Sequence, residues 1–440
     1  MQSNSRGFLM RKRSIITGLT AGAAGAGILL ATKARRSSAP GGDRWSSGTR
    51  LGVGAAAGAL LGFAADALAH LPEKVTIMEE LMPKTQVASS YSQVVKPVPA
   101  GFFSDKGSGT DYESRPSAWG GFITPIDRFY LRSHSPTPTI DISSWSLKIE
   151  GTGVEIPVEL SYAELEAMPQ VTLTRTMECA GNGRRFYKEH FGVEGEGGQW
   201  RMGAMGCAEW TGVRLRDVLQ RAGVKPRARD VMPIGLDEHE VRRPMPVEKA
   251  MRDDTLLVLK MNGETLPIDH GFPVRILVTG WTGTASIKWV GRIQVAEESL
   301  HSPYNTMEYT MVGPNYPMEF PALGPPITEM PVMSVLDLDW PAKISAQTNE
   351  IYGRSFAGEG RVREVVYSID DDDWKTAELI GPNIEGCWRQ WKFAWTPTAG
   401  KHEIRVRATD ENGRTQPDTV PWNHHGYLYN AVVAHPITVS

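Results

Sequence analysis

Thr174 to Phe186, reading TRTMECAGNGRRF, is the stretch on which the reading of this chain turns. Ahead of it, Val171 to Met177 alternates in the manner of a strand. Behind Cys179, the run Ala180-Gly181-Asn182-Gly183 lets the backbone turn tightly, and Arg184 and Arg185 follow. A thiol is therefore expected at a strand end, in a tight turn, beside two permanent positive charges. That field favours the thiolate, the form that binds metals and attacks electrophiles. Residue chemistry leaves both roles open. A lone cysteine is most often a small buried hydrophobe. A cysteine nucleophile usually needs a histidine base, and His190 is the one histidine nearby in sequence.

A length of 440 residues predicts more than one domain. The net charge of -3 comes without a basic stripe, which argues against a nucleic-acid partner. Cys179, Cys207 and Cys387 are an odd set with no CxxC pair. That excludes a disulfide framework, a four-cysteine zinc site and covalent c-type haem attachment. Neither a dinucleotide-binding GxGxxG after a strand nor a GxxxxGK[ST] phosphate loop occurs.

Residues 1–70 stand apart. Arg11-Lys12-Arg13 precedes an apolar, Ala/Gly-rich run from Ile15 to Ala31. A second basic segment leads into another apolar run, Leu51 to Ala69, interrupted by Asp66. Each run is near the ~20 residues a membrane helix needs. Three readings compete: a cleaved export signal, with Ala67-Leu68-Ala69 as a small-x-small cleavage site, uncleaved membrane anchors, or Ala-rich soluble helices. The expectation is an exported, periplasmic or membrane-anchored protein, its catalytic part outside the cytoplasm and its membrane contact made through residues 1–70. Residues 71–117 are polar and irregular, a linker or a wrapping arm.

From 118 to 326 short strands and helices mix without a βαβ repeat, so the fold class is α+β. Ser161-Tyr162-Ala163-Glu164 is a capping box opening a helix. Leu215 to Ala222 is a second helix, ended by Gly223. Leu256 to Met261 is a strand entering an Asn262-Gly263 turn, and Val274 to Val278 is a buried strand. From 327 to 440, strands at Val362–Ile369, Trp391–Trp395 and Glu403–Ala408 recur between turn signals, which predicts a β-sandwich.

ECAGN followed by arginines resembles the molybdenum-ligating cysteine loop of the sulfite oxidase family. Further matches come in that family's order: FYLRSHSPTP (129–138), GGQW and WTGVRLRDVL (197–219), MNGETLPIDHGFPVRILV (261–278), SIKWVGRI (286–293), CWRQW (387–391) and QPDTVPWN (416–423). They cover about residue 120 to the end. The resemblance implies a mixed α/β molybdopterin-binding domain over 118–326, followed by an immunoglobulin-like sandwich over 327–440 that mediates homodimerisation. It implies molybdenum held by a pterin dithiolene (molybdopterin) with Cys179 as protein ligand, and oxidation of sulfite to sulfate, with electrons leaving to an external acceptor such as cytochrome c. Oxidation of sulfane sulfur, or reduction of an oxyanion or S-oxide, are the alternatives on the same cofactor. Nothing in the sequence resembles a cytochrome b5 haem domain.

By the same resemblance, Arg132, Arg185 and Arg389 are the substrate arginines. Guanidinium forks bind oxyanions bidentately and stay charged, which suits a sulfur oxyanion. Trp200 is an aromatic wall of the pocket. Tyr309, in NTMEYTM, is the active-site tyrosine, able to bond substrate and help a proton leave. His134, Asp237, His270, Arg275, Ser286 and Lys288 cradle the pterin and its phosphate. The family often reads CAGNRR. Gly183 is an insertion here, leaving a choice between Arg184 and Arg185, of which Arg185 is preferred. Ser133 stands where vertebrate-type sequences have asparagine.

Overall fold

The structure is a computed structural model and describes residues 90–440. The reading of residues 1–70 as an export or anchor segment lies outside the described residues. Among the described residues, no helix is long and apolar enough to cross a membrane.

Two five-stranded sheets form the first half. One is antiparallel and ordered Glu264–Thr265, Thr255–Met261, Met205–Arg214, Gln170–Glu178, with Arg275–Val278 also pairing with Thr255–Met261. The other runs Met245–Pro246, Asp230–Gly235, Val290–Ala296, Ser146–Glu150, Val158–Ser161, and its Val290–Ala296 and Ser146–Glu150 strands are parallel. Both contribute to one apolar core, Leu147, Ile149 and Ile293 from one, Val213, Leu257 and Ile276 from the other. The helix Leu215–Ala222 buries Leu215, Val218, Leu219 and Ala222 and ends on left-handed Gly223. Ser161 caps the helix Tyr162–Glu166: its Oγ accepts from Glu164 N, and Glu164 Oε2 accepts from Ser161 N.

The second half is a two-sheet sandwich. Its four-stranded sheet is ordered Met333–Leu336, Glu350–Phe356, Arg389–Ala394, Glu378–Ile380. Its five-stranded sheet is ordered Ala342–Ile344, His435–Val439, Gly400–Asp410, Val362–Ile369, Lys375–Thr376. Ile351, Trp391 and Phe393 from the first meet Val365, Ile404, Val406 and Ala408 from the second. Period-2 alternation delivers these side chains to one face.

Residues 90–117 lie against this body. Ser90–Ser92 pairs with Thr137–Thr139, the Lys96 ammonium donates to the carbonyls of Ile126 and Phe129, and Ser114 N donates to Gly203 O.

The halves are joined where the cysteine strand meets the sandwich. Thr176 N donates to Gly386 O, Trp388 N to Thr176 Oγ1, and the Cys387 thiol to Thr174 O. Buried Arg354 adds a second tie. Its Nε donates to Asp337, its Nη1 and Nη2 to the carbonyls of Gly121 and Gly120, and its guanidinium lies 4.3 Å from the Trp388 ring. The strand that ends at Cys179 is thus held by nine residues of ladder on one edge and by the sandwich on the other.

Candidate active site

The strand Gln170–Glu178 delivers Cys179 to the floor of a cleft of about 760 Å3. Cys179 N still donates across the ladder to Ala204 O, and the chain then turns: Asn182 N donates to Cys179 O and Arg184 N to Gly181 O. Gly183 sits at φ +80° with Tyr429 against it, where a Cβ would fall 3.1 Å from Tyr429 Cβ and from its carbonyl oxygen. This glycine is what lets the turn lie on the sandwich.

The thiol differs from expectation. Its pKa is raised, because burial outweighs Arg132, the Gly181 N–H at 3.4 Å and Arg184, all of which favour the thiolate. His190, the nearby candidate base, turns to the Tyr429 hydroxyl at 3.4 Å. A buried thiol with no histidine partner is a poor free nucleophile. A bound metal ion deprotonates such a sulfur outright, so this environment suits a metal ligand.

Arg132 stands over the cleft. Its Nη1 donates to Asp111 Oδ1 (3.2 Å) and Ser133 O (2.5 Å). Burial works against its charge, but Tyr309, Asp111 and Cys179 around it hold its pKa above the ordinary guanidinium value. The Tyr309 hydroxyl and His134 Nε2 share a hydrogen bond of 2.7 Å. Burial first, then Arg132, His239 and Lys288, keep His134 well below its ordinary pKa, so it is neutral at pH 7. Arg132 Nη2, which can only donate, lies 3.4 Å from His134 Nδ1, which leaves the Nε2–H to donate to the Tyr309 oxygen. Burial pushes Tyr309 up to about 12. Tyr309 and Trp289 both sit at φ +53°, a left-handed backbone that bulky residues seldom adopt.

The inner end of the cleft is cationic. His270 and Arg275 are buried, and Arg275 donates to the carbonyls of His270 (2.9 Å) and Ser286 (3.1 Å). Lys288 donates to Ser133 Oγ (2.5 Å) and Asp269 O (2.9 Å). Burial lowers Lys288 and Lys96 to about 7 each, and Arg275 to about 10. Buried Ser286 bonds Val278 N, and buried Asp237 takes Ser135 Oγ (3.0 Å) and Val241 N (3.0 Å).

Of the expected site residues, Arg132, His134, Cys179, Asp237, His270, Arg275, Ser286, Lys288 and Tyr309 line this one cleft. Three lie elsewhere. Arg185 opens the helix Arg185–Phe191 with its side chain 42% exposed, 3.5 Å from Glu189. Helical phase turns it outward, and Arg184 turns in instead, packing behind the cleft rather than lining it. Arg184 is buried, donates through Nε to His425 O (2.7 Å) and through Nη1 to Gly198 O (2.8 Å), and lies over the Tyr427 ring. Arg389, on a sandwich strand, donates to Gly381 O (2.6 Å) and does not line the cleft. Trp200 is fully buried in the apolar cluster that also holds Cys179, behind the cleft wall.

Residues 134–304 match the family model described as the oxidoreductase molybdopterin binding domain, and residues 325–439 match the Mo-co oxidoreductase dimerisation domain. Mouse mitochondrial sulfite oxidase is 33% identical over 333 residues, covering 71% of this chain and 60% of that protein. Chicken sulfite oxidase is 33% identical over 333 residues, covering 70% of this chain and 72% of that protein. The chain belongs to the sulfite oxidase family of molybdenum-pterin oxidoreductases. The crystal structure of the sulfane dehydrogenase SoxCD from Paracoccus pantotrophus superposes with a TM-score of 0.66 at 27% identity, covering 79% of this chain and 87% of that one.

The residues present fit the family's molybdenum–molybdopterin cofactor. Cys179 offers a soft sulfur at the cleft floor. The inner end gathers Lys96, Arg275 and Lys288, whose charges burial opposes and whose nearby carboxylates, Asp237 and Asp269, are already hydrogen-bonded. Arg275 Nε is buried without an acceptor. A phosphate-bearing pterin supplies both the missing acceptor and the missing negative charge. Cys179 would hold the metal, and His134, His270, Arg275, Ser286 and Lys288 would hold the pterin and its phosphate.

Several contributors were not foreseen from sequence. Lys96 and Asp111 come from the arm, where composition reads only as irregular chain. Tyr427 and His425 come from the sandwich side, and Tyr427 stacks on Tyr309 at 5.2 Å. The tract His424-His425-Gly426-Tyr427, directly after the matched QPDTVPWN, was a usable signal for them.

Proposed function

We propose that this chain oxidises sulfite to sulfate. Sulfite and water give sulfate, two protons and two electrons, and the electrons pass to an external acceptor such as cytochrome c. The observation that carries the reading is that the Arg132 guanidinium and the Tyr309 hydroxyl line the same cleft as the buried Cys179 thiol, with buried Arg184 in the turn just behind it. A small sulfur oxyanion is the ligand such a pair holds and orients beside a sulfur-bound metal. The cofactor, when bound, supplies two-electron redox and oxygen-transfer chemistry. Arg132 binds and orients the anion with the charge of Arg184 behind it, Tyr309 gives or takes a proton at its hydroxyl against neutral His134, and the Phe129, Tyr130 and Trp200 cluster excludes water from the floor.

The match of residues 325–439 to a dimerisation domain supports a homodimer, and we read the sandwich as immunoglobulin-like. The basic-then-apolar runs of residues 1–70 support export or anchoring on the outer face of the cytoplasmic membrane; full-length enzyme found only in the soluble cytoplasm refutes that.

The test is molybdenum analysis with sulfite-dependent cytochrome c reduction, for wild type and Cys179→Ser. One molybdenum per chain and sulfite activity, the activity lost in the variant, are expected. Molybdenum without sulfite activity transfers the reading to sulfane sulfur, which the likeness to SoxCD favours as the second candidate. No molybdenum, from a host that makes the cofactor, overturns both.

A further inference from the structure

Outside the cleft, one cluster of metal-ligating side chains has no part in the chemistry above. Glu196, from the segment between the helix Arg185–Phe191 and Trp200, meets His424 and His425 of the sandwich side, their ligand atoms all within 4.8 Å of one another. His424 Nε2 is 3.0 Å and His425 Nδ1 3.5 Å from the same oxygen, Glu196 Oε2. Ligand atoms at zinc-bond lengths of roughly 2.0–2.2 Å, arranged tetrahedrally, lie about 3.3–3.6 Å apart. The cluster is therefore near the spacing an ion needs.

We propose that Glu196, His424 and His425 form a binding site for a divalent transition-metal ion, separate from the molybdenum cofactor.

Two features support it. First, two imidazoles and a carboxylate are a set that borderline cations such as Zn2+ take, and a fourth position is left for water. Second, the frame is held by backbone. Glu196 N donates to His424 O (2.9 Å), His424 N to Val312 O (2.7 Å), and the Arg184 Nε bond fixes His425 O. Gly195 and Gly426 pack so closely that a Cβ on Gly195 would fall 2.7 Å from Gly426 Cα. Little reorganisation is needed to gather the ligands.

The location gives the ion a consequence. It would pin the 192–200 segment, which carries the Gly198 carbonyl, to the 423–427 segment, which carries the His425 carbonyl. Those carbonyls are the two acceptors that aim Arg184.

The experiment is equilibrium dialysis of untagged, chelator-treated holoenzyme against Zn2+, with molybdenum content measured alongside to show that the fold and cofactor survive. Glu196→Gln and His424→Ala change exposed side chains. Wild type should bind one zinc per chain beyond background, and each variant should bind at least about tenfold more weakly. Co2+ in place of zinc should give visible d–d absorption that both variants lose. Wild type binding no zinc, or wild type and both variants binding alike, overturns the proposal, whatever the enzyme oxidises.

Discussion

Replacing Arg184 with Met should damage both stability and substrate binding, while the same change at Arg185 should do neither. Arg184 is buried and makes two charge-assisted hydrogen bonds, to His425 O at 2.7 Å and Gly198 O at 2.8 Å. Each is worth about 1.5–3 kcal/mol, and the two carbonyls are left unpaired on truncation. A loss of about 3–5 kcal/mol follows, and a drop in melting temperature of many degrees. Its charge also acts on Cys179. Losing one preorganised cation beside a bound oxyanion costs roughly 10²-fold in kcat/KM. Arg185 by contrast offers one half-exposed i,i+4 pair with Glu189, worth about 0.3–0.5 kcal/mol. The assay is steady-state sulfite oxidation with cytochrome c as acceptor, corrected for molybdenum per chain, beside thermal unfolding. Arg184→Lys separates the effects: it keeps the charge but not the fork, so it should recover part of kcat/KM and little of the stability. If Arg185→Met raises KM while Arg184→Met leaves it unchanged, the assignment of the inward arginine is wrong.

Tyr309→Phe removes the hydroxyl bonded to His134 at 2.7 Å; kcat should fall about 10- to 100-fold with stability down by about 1 kcal/mol, and unchanged kcat would remove the phenol from the proton path. Arg389→Met should change KM for sulfite by less than about threefold, since the side chain serves Gly381 O; a steep rise would return it to the pocket, as the family resemblance had implied. Cofactor-free protein should melt at higher temperature at pH 9 than at pH 7. Burial lowers Lys96 and Lys288 to about 7 from an ordinary 10.5, so between those values the unfolded chain holds more protons and stability rises with pH. Glu178, raised to about 8 by burial, and the Cys179 and Cys207 thiols, also raised by burial, work the other way, but each titrates over only part of this interval. Lys288→Met should flatten the rise, and a melting point that falls between pH 7 and 9 in wild type contradicts the desolvated lysines.

Much of the cleft was legible because its residues lie in contiguous motifs whose local geometry is fixed by local rules. A strand followed by Ala-Gly-Asn-Gly puts Cys179 at a strand end whatever surrounds it. HGFPVR and SIKW lead into strands of different sheets and cross, Ile276 N donating to Ile287 O and Val290 N to Val274 O, so they converge. What local rules do not fix is which way a side chain faces when tertiary packing sets the phase. Arg184 and Arg185 are adjacent, and the choice between them rests on Gly183 packing against Tyr429, a contact 246 positions away in the chain. Arg389 is likewise decided by packing, its guanidinium taken up by the Gly381 carbonyl of the sandwich. The thiol was misjudged on magnitude: the arginines do favour the thiolate, but a floor built from Phe129, Tyr130, Met177 and Trp200 costs a charge more than they return.

The charges around the cleft make one electrostatic argument. Arg132, Arg275, Lys288 and Lys96 surround a space whose carboxylates, Asp111, Asp237 and Asp269, are each committed to backbone or hydroxyl partners. A protein does not gain stability by burying cations in excess, since desolvation is charged against each of them. The arrangement makes sense only as one half of an ion pair whose other half binds. Seen so, the lowered lysines and the orphaned Arg275 Nε are not defects of the fold. They are charges and a donor that an anionic cofactor would compensate. The outer arginines, Arg132 and Arg184, differ in kind. Arg132 keeps a raised pKa because Tyr309, Asp111 and Cys179 compensate it, so it stays charged at any working pH. The inner cations therefore suit a permanent guest, and the outer pair suits an anion that must come and go.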